Sequence, residues 1–204
     1  MTRVKICGLT RQEDVLAAIK FGADYLGFVL WPGSPRATTL DLFRSVRVKL
    51  RGQEPVGVFV NPSADDVRAA ADEGIRFAQI HGEVPDWDDD RPNVVIIRAV
   101  HLAVSGPGFD PDVPEGTECF ILLDARDPVK HGGTGQTVDW ERAAPIARTR
   151  ALFLAGGLTP DNVRQAIATV KPMAVDVASG VESAPGIKDH EKLRQFIERA
   201  KERV

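Results

Sequence analysis

Short runs of β-branched and aliphatic residues alternate with longer stretches of helical period from one end of the chain to the other. The apolar runs at residues 4–7, 25–29, 56–60, 77–80, 94–99, 120–124, 151–154 and 174–177 have the length and composition of strands. Between them, apolar positions recur at helical spacing over 11–21 behind Thr10, 40–50, 64–73 behind Ser63, 140–148 behind Asp139, 160–170 behind Thr159, and 189–203. The hydroxyls and carboxylates just ahead of these segments are the groups that satisfy the first free amides of a helix. Residues 83–91 have room only for a short helix, and 100–117, with Gly106, Pro107, Gly108, Pro111 and Pro114, predicts a loop where a fifth helix would stand. Repeated strand and helix units of this kind predict an α/β chain folded as one compact (β/α)8 TIM barrel over residues 1–204, below the roughly 250 residues usual for that fold. A doubly wound open sheet would ask for GxGxxG after the first strand, and Cys7-Gly8-Leu9-Thr10 does not supply it.

Composition narrows the function without naming it. At 204 residues with 43% hydrophobic and 27% charged content, the chain can bury one substantial core. A net charge of -3 without basic clusters argues against nucleic acid or an anionic membrane surface as partner. The opening residues carry no signal-peptide pattern and no apolar stretch is long enough to span a bilayer, so the expectation is a cytoplasmic protein. Cys7 and Cys119 form no CxxC and stand near no His-rich segment, so neither a disulfide framework nor a structural metal is expected.

In a barrel of this kind the chemistry sits at the C-terminal ends of the strands. Cys7 ends the first run and Asp124 the sixth, which brings a thiol and a carboxylate to one mouth and points to proton transfer. Cys119 stands at the start of its strand and takes a structural role. After the seventh strand comes Ala155-Gly156-Gly157-Leu158-Thr159-Pro160, and after the eighth Ala178-Ser179-Gly180-Val181-Glu182. Glycine-rich turns in these two places let backbone amides approach a phosphate. The stretch from His131 to Thr137 follows the sixth strand and lacks Gly-Lys-Ser/Thr, so it reads as a cover and not an ATP site. Lys5 and Asp176 have inward strand parity, and charges there are expected to pair beneath the site. His81, ending the fourth run, is placed to hydrogen-bond substrate, whereas His101, His131 and His190 read as loop or surface residues. Arg36, behind the rigid Ser34-Pro35, suits bidentate capture of a carboxylate.

The ordered set Lys5-Ile6-Cys7-Gly8-Leu9-Thr10, Ser34-Pro35-Arg36, Val58-Phe59-Val60-Asn61, Gln79-Ile80-His81-Gly82, Leu122-Leu123-Asp124, Gly132-Gly133-Thr134-Gly135, Ala155-Gly156-Gly157-Leu158 and Asp176-Val177-Ala178-Ser179-Gly180-Val181-Glu182, ending in Gly186-Ile187-Lys188-Asp189, resembles the phosphoribosylanthranilate isomerase family of tryptophan biosynthesis. The likeness covers nearly the whole chain, with Ala178 standing where a polar residue is common and Val84-Pro85-Asp86 in place of a more acidic segment. The resemblance implies an Amadori rearrangement of N-(5-phospho-β-D-ribosyl)anthranilate to 1-(o-carboxyphenylamino)-1-deoxyribulose 5-phosphate, without a cofactor, in a monomer or homodimer. It further implies Cys7 as general base and Asp124 as general acid, with Arg36, His81, Gly133, Gly156, Gly157, Asp176, Ser179 and Gly180 on the substrate. Two alternatives stand beside it. A related histidine-pathway aminoaldose isomerase would be expected to use two aspartates and a second phosphate grip. A non-catalytic barrel binding a sugar phosphate would leave the thiol, carboxylate and arginine of one rim without a purpose.

Overall fold

The structure, a computed structural model, describes residues 1–87, 91–101, 119–124 and 138–202. Eight parallel strands close into a barrel in chain order: β1 (Arg3–Ile6), β2 (Tyr25–Val29), β3 (Glu54–Val60), β4 (Phe77–His81), β5 (Val95–His101), β6 (Phe120–Asp124), β7 (Leu152–Leu154) and β8 (Ala174–Val177). Closure is made by β8 against β1, in a register that sets Arg3 beside Ala174 and Lys5 beside Asp176. The helices among the described residues are α1 (Gln12–Phe21), α2 (Leu40–Val46), α3 (Ala64–Asp72), α4 (Trp140–Thr149), α5 (Val163–Val170) and α6 (His190–Lys201).

Strands covered on both faces carry near-continuous apolar runs, because residues of either parity are buried. Here one parity (Val4, Ile6, Leu26, Phe28, Ile80, Ile121, Leu123, Val175) packs in the layer that includes the helices' apolar faces, such as Val15, Val67, Ile146 and Phe196. The other parity (Tyr25, Val56, Val58, Ile97, Ala99, Leu122, Phe153) fills the barrel. Its lower end is closed by aromatic rings: Tyr25 meets Phe77 edge-on at 5.4 Å and Phe153 at 5.1 Å, and Phe120 meets Phe153 at 5.9 Å. Arg3 caps this floor by donating from Nη1 to the Tyr25 hydroxyl at 2.7 Å. Such rings pack edge to face because their negative faces attract positive edges.

Local signals held at some helix starts and failed at others. Ser63 and Asp66 form a reciprocal capping box ahead of α3, and Asp139 and Asp189 cap α4 and α6, the latter one residue before the helix begins. Thr10 does not cap α1. Its hydroxyl donates to the Gly186 carbonyl, and the helix starts behind Arg11 without a side-chain cap. Thr159 does not start a helix directly either, since residues 160–162 form a turn before α5. The Asn162 side chain accepts from the Thr159 amide at 2.8 Å and donates to the Gly157 carbonyl at 2.9 Å, which holds the chain in a loop. The expected helix over 40–50 ends at Val46 and continues as a 3-10 turn, Arg47–Lys49. Residues 83–87 carry no helix, and of the loop expected over 100–117 the first two residues belong to β5 while the rest lies outside the described residues. β5 extends to His101, so that residue ends a strand and is not in a loop. A short antiparallel ribbon, β9 (Glu182–Ala184) and β10 (Ile187–Lys188), follows β8 and had no counterpart in the sequence pattern. Among the described residues no helix is long and apolar enough to cross a membrane.

Phe153 is fully buried between Tyr25 and Phe120. Phe153→Ala is expected to cost about 3–5 kcal/mol of stability in urea unfolding, from lost apolar transfer and a cavity that the closed sheet cannot collapse. A loss under about 1 kcal/mol would mean that the floor is not packed by these rings.

Candidate active site

Parity and register fix where each polar side chain emerges. Cys7 follows the last residue of β1, its amide held by the Val177 carbonyl at 2.9 Å. It is only 7% exposed and lies beside Gly27 of β2. A Cβ at Gly27 would stand 3.0 Å from both the Cα and the Sγ of Cys7, so the absence of a side chain there makes room for the thiol. Asp124 closes β6, half-buried, opposite His101 in the strand register. His81 closes β4, and Gln79, two residues earlier on the same face, lies 2.8 Å from it through their Nε2 atoms.

The glycine turns meet the same opening. Gly156 and Gly157 adopt left-handed φ of 80° and 63°, which a residue with a Cβ enters only with strain. In the turn after β8, Ser179–Val181 forms one 3-10 turn. A Cβ on Gly180 would fall 1.9 Å from the Leu158 carbonyl oxygen, so the two turns can touch only through a glycine. One pocket is lined by Cys7, Arg36, His81, Asp124, Gly156, Gly157, Asp176, Ser179 and Gly180. Of the residues given a catalytic or substrate-binding role from the sequence, Gly133 alone is not among them, and it lies outside the described residues, as does His131. His101 is half-buried at the strand end beside Asp124 and not at the surface. His190, half-exposed as expected, is tied by Nε2 at 2.8 Å to the buried carboxylate of Asp14.

Beneath the pocket the charges are paired. Lys5 Nζ donates to Asp176 Oδ1 at 2.9 Å, with the ammonium fully buried. Burial works against the Lys5 cation, but the charges of Asp176 and Cys7 outweigh it and hold its pKa above the ordinary value. For Cys7 the balance falls the other way: burial and the Asp176 charge push the thiol up, against the pull of Lys5 and Lys188. The resting side chain is therefore more firmly protonated than a free cysteine.

Glu182 and Lys188 have no role in the sequence reading, yet both stand next to the site. Arg36 spends Nε and Nη2 on Glu182, with contacts of 2.9, 3.2 and 2.7 Å, and so its fork is already half occupied by a carboxylate of the chain itself. Lys188, completely buried, pairs with the same carboxylate at 2.9 Å. Burial alone would raise the Glu182 pKa, yet the hydrogen bond from Arg36 and the charge of Lys188 keep it below the usual carboxylate value. Lys188 also donates to the Ala178 carbonyl at 3.1 Å. Both residues sit on the unforeseen ribbon, and strand periodicity does not reveal a two-residue element. Trp31 and Ser34 line the pocket as well. No group of His, Cys, Asp or Glu among the described residues is arranged to hold a metal ion.

This arrangement has close counterparts. Residues 4–199 match the family described as N-(5'phosphoribosyl)anthranilate (PRA) isomerase. The N-(5'-phosphoribosyl)anthranilate isomerase of Geobacter sp. (strain M21) is 43% identical over 203 residues, covering 98% of both chains. The crystal structure of phosphoribosyl anthranilate isomerase from Thermotoga maritima superposes with a TM-score of 0.83 at 37% identity, over 98% of this chain and 99% of the other. A structure of such an isomerase in complex with reduced 1-(o-carboxyphenylamino)-1-deoxyribulose 5-phosphate gives a TM-score of 0.80 at 36% identity, with the same coverage. Sequence and fold thus agree along the full length of the barrel, and the chain belongs to the N-(5'-phosphoribosyl)anthranilate isomerase family.

Proposed function

We propose that this isomerase converts N-(5-phospho-β-D-ribosyl)anthranilate to 1-(o-carboxyphenylamino)-1-deoxyribulose 5-phosphate, with Cys7 as general base and Asp124 as general acid. The observation that carries the reading is a thiol and a carboxylate on one pocket that also holds two glycine turns and an arginine. In the first step the Asp124 carboxyl gives its proton to the furanose ring oxygen as the bond from C1′ to that oxygen breaks. The anilino nitrogen supplies the electron pair, leaving an open-chain Schiff base. The Cys7 thiolate then takes the proton from C2′, and the electron pair moves into a C1′–C2′ double bond to give an enolamine. Tautomerisation delivers a proton to C1′ and removes one from the C2′ hydroxyl. C1′ is reduced as C2′ is oxidised, so no external redox partner enters the balance.

Two anchors hold the reacting carbon between acid and base. Backbone amides around Gly156, Gly157, Ser179 and Gly180 take the phosphate, and the free edge of Arg36 takes the anthranilate carboxylate. Anchoring both ends turns binding into alignment, which contributes several kcal/mol to such reactions. His81 and Asp176 complete the polar lining, the latter held from beneath by Lys5.

Cys7→Ser and Asp124→Asn are each expected to reduce turnover by about 10² or more, since each removes a proton-transfer group. Circular dichroism and melting should stay close to those of the parent, and Cys119→Ser should retain activity. Near-parental rates in either of the first two variants, read by loss of substrate fluorescence, would remove the assigned roles.

Arg36→Met should weaken a reduced product analogue far more than it weakens a plain sugar phosphate, because only the former brings a carboxylate. Calorimetric titration of both ligands decides it, and equal losses would move Arg36 to the phosphate.

In a Cys119→Ser background, the rate of Cys7 alkylation by iodoacetamide should rise with pH through a midpoint above the value of about 8.5 for a free thiol. The sign follows from burial, which disfavours the thiolate more than Lys5 and Lys188 favour it. A midpoint below that of a free cysteine would show that the cations prevail.

A further inference from the structure

Lys188 is buried in a protein interior where an ammonium is costly unless every proton finds an acceptor. It finds three, one from each of three different segments. Nζ donates to the Cys7 carbonyl at 2.7 Å in the loop after β1, to the Ala178 carbonyl at 3.1 Å after β8, and to Glu182 Oε1 at 2.9 Å on β9. These use the full donor capacity of an ammonium, whose three protons can turn to separate acceptors where a planar guanidinium presents a fixed fork. Glu182 passes the constraint on by gripping Nε and Nη2 of Arg36. The ribbon that carries Lys188 is itself fixed, because the Lys188 amide donates to Asp14 Oδ2 at 3.2 Å and Asp14 is fully buried in α1.

We propose that Lys188 is a positioning residue for the isomerisation: its three hydrogen bonds hold the segment carrying the base Cys7, the phosphate turn after β8 and, through Glu182, the arginine clamp in one rigid frame. The inference rests on the roles given to Cys7 and Arg36 above. It also explains why Arg36 can bind a second carboxylate while Glu182 occupies half its fork. Arg36 and Lys188 carry two positive charges against the single negative charge of Glu182, so the cluster keeps one unit of positive charge for the substrate. Glu182 restricts that substrate carboxylate to the Nη1 side, which fixes how far the aryl end sits from the reacting carbon.

A residue that only stabilises the fold and one that positions the site give different results when the buried charges are removed together. Lys188→Met alone leaves the buried Glu182 carboxylate to Arg36, whereas Lys188→Met with Glu182→Gln removes both members of this buried pair and leaves Arg36, which borders the pocket, as the remaining charge. The double variant is expected to melt closer to the parent than the single variant does. Its kcat should still be lower by at least about tenfold, with a smaller change in KM, because misplacement by an ångström is felt in the chemical step. Recovery of kcat together with melting temperature would overturn the proposal, and so would a double variant that no longer folds, since Lys188 would then be a folding residue.

Alkylation of the resting protein gives a readout that does not depend on substrate. Among the described residues, the charged or titratable groups around the Cys7 thiol are Lys5 on its own strand, Asp176 on β8, Lys188 and its partner Glu182 on the ribbon, and Arg36, Asp124 and His81 on the pocket wall. In the Cys119→Ser background, both Lys188 variants should shift the alkylation midpoint upward, because a cation that favours the thiolate is gone. An unchanged midpoint would overturn the frame even if the isomerase reading stands. A parent protein that fails to turn over phosphoribosylanthranilate, but shows the shift, would overturn the proposed function and leave the frame at Cys7 intact.

Discussion

Buried charge at the barrel mouth is the constraint on which the rest of the site depends. Lys5, Asp176, Glu182 and Lys188 are all nearly shielded from solvent, and each would destabilise the fold if left alone. They are arranged as two pairs, Lys5 with Asp176 and Lys188 with Glu182, and Arg36 joins the second from the pocket side. Closing β8 on β1 is what aligns the first pair, since the register sets residues 5 and 176 side by side. The ribbon after β8 then folds back to deliver the second. The polar site is thus a consequence of how the barrel closes.

The same burial sets a conflict at Cys7. The proposed general base is useful as thiolate, but the pocket that excludes water also disfavours the charge. Two ammonium groups, Lys5 and Lys188, oppose that effect from either side of the chain's first strand end. An Asp beside the thiol, Asp176, works in the other direction. A partly resisted thiolate is a stronger proton acceptor when it forms, since basicity rises with pKa. The surrounding charges therefore balance how often the thiolate is present against how strongly it attracts a proton.

Glycine has a second task here that is separate from conformational freedom. Gly27 leaves space for the Cys7 side chain and Gly180 lets the turns after β7 and β8 touch, although neither of them adopts a left-handed φ. Gly156 and Gly157, by contrast, are needed for the backbone path itself. The pocket is shaped as much by missing side chains as by the polar ones that line it.

The sequence by itself determined the barrel, because alternating strand and helix signals are local and each element buries its own apolar face. It also determined which residues reach the mouth: Cys7, His81, Asp124 and the glycine turns stand at strand ends, a position that can be counted along the chain. Helix starts were only partly legible. Ser63 caps as its neighbours suggest, while Thr10 is drawn away by the Gly186 carbonyl, an acceptor brought near only by folding. His101 departs from its expected loop position because β5 runs on to pair with β6 as far as Asp124, and a strand's end depends on its partner's length. The tertiary structure alone decided that Arg36 meets Glu182 across 146 positions of sequence and that Lys188 reaches Cys7 across 181. Those contacts have no period and no motif. They arise from barrel closure and from the ribbon folding over the mouth, where the need to pair buried charges selects the partner.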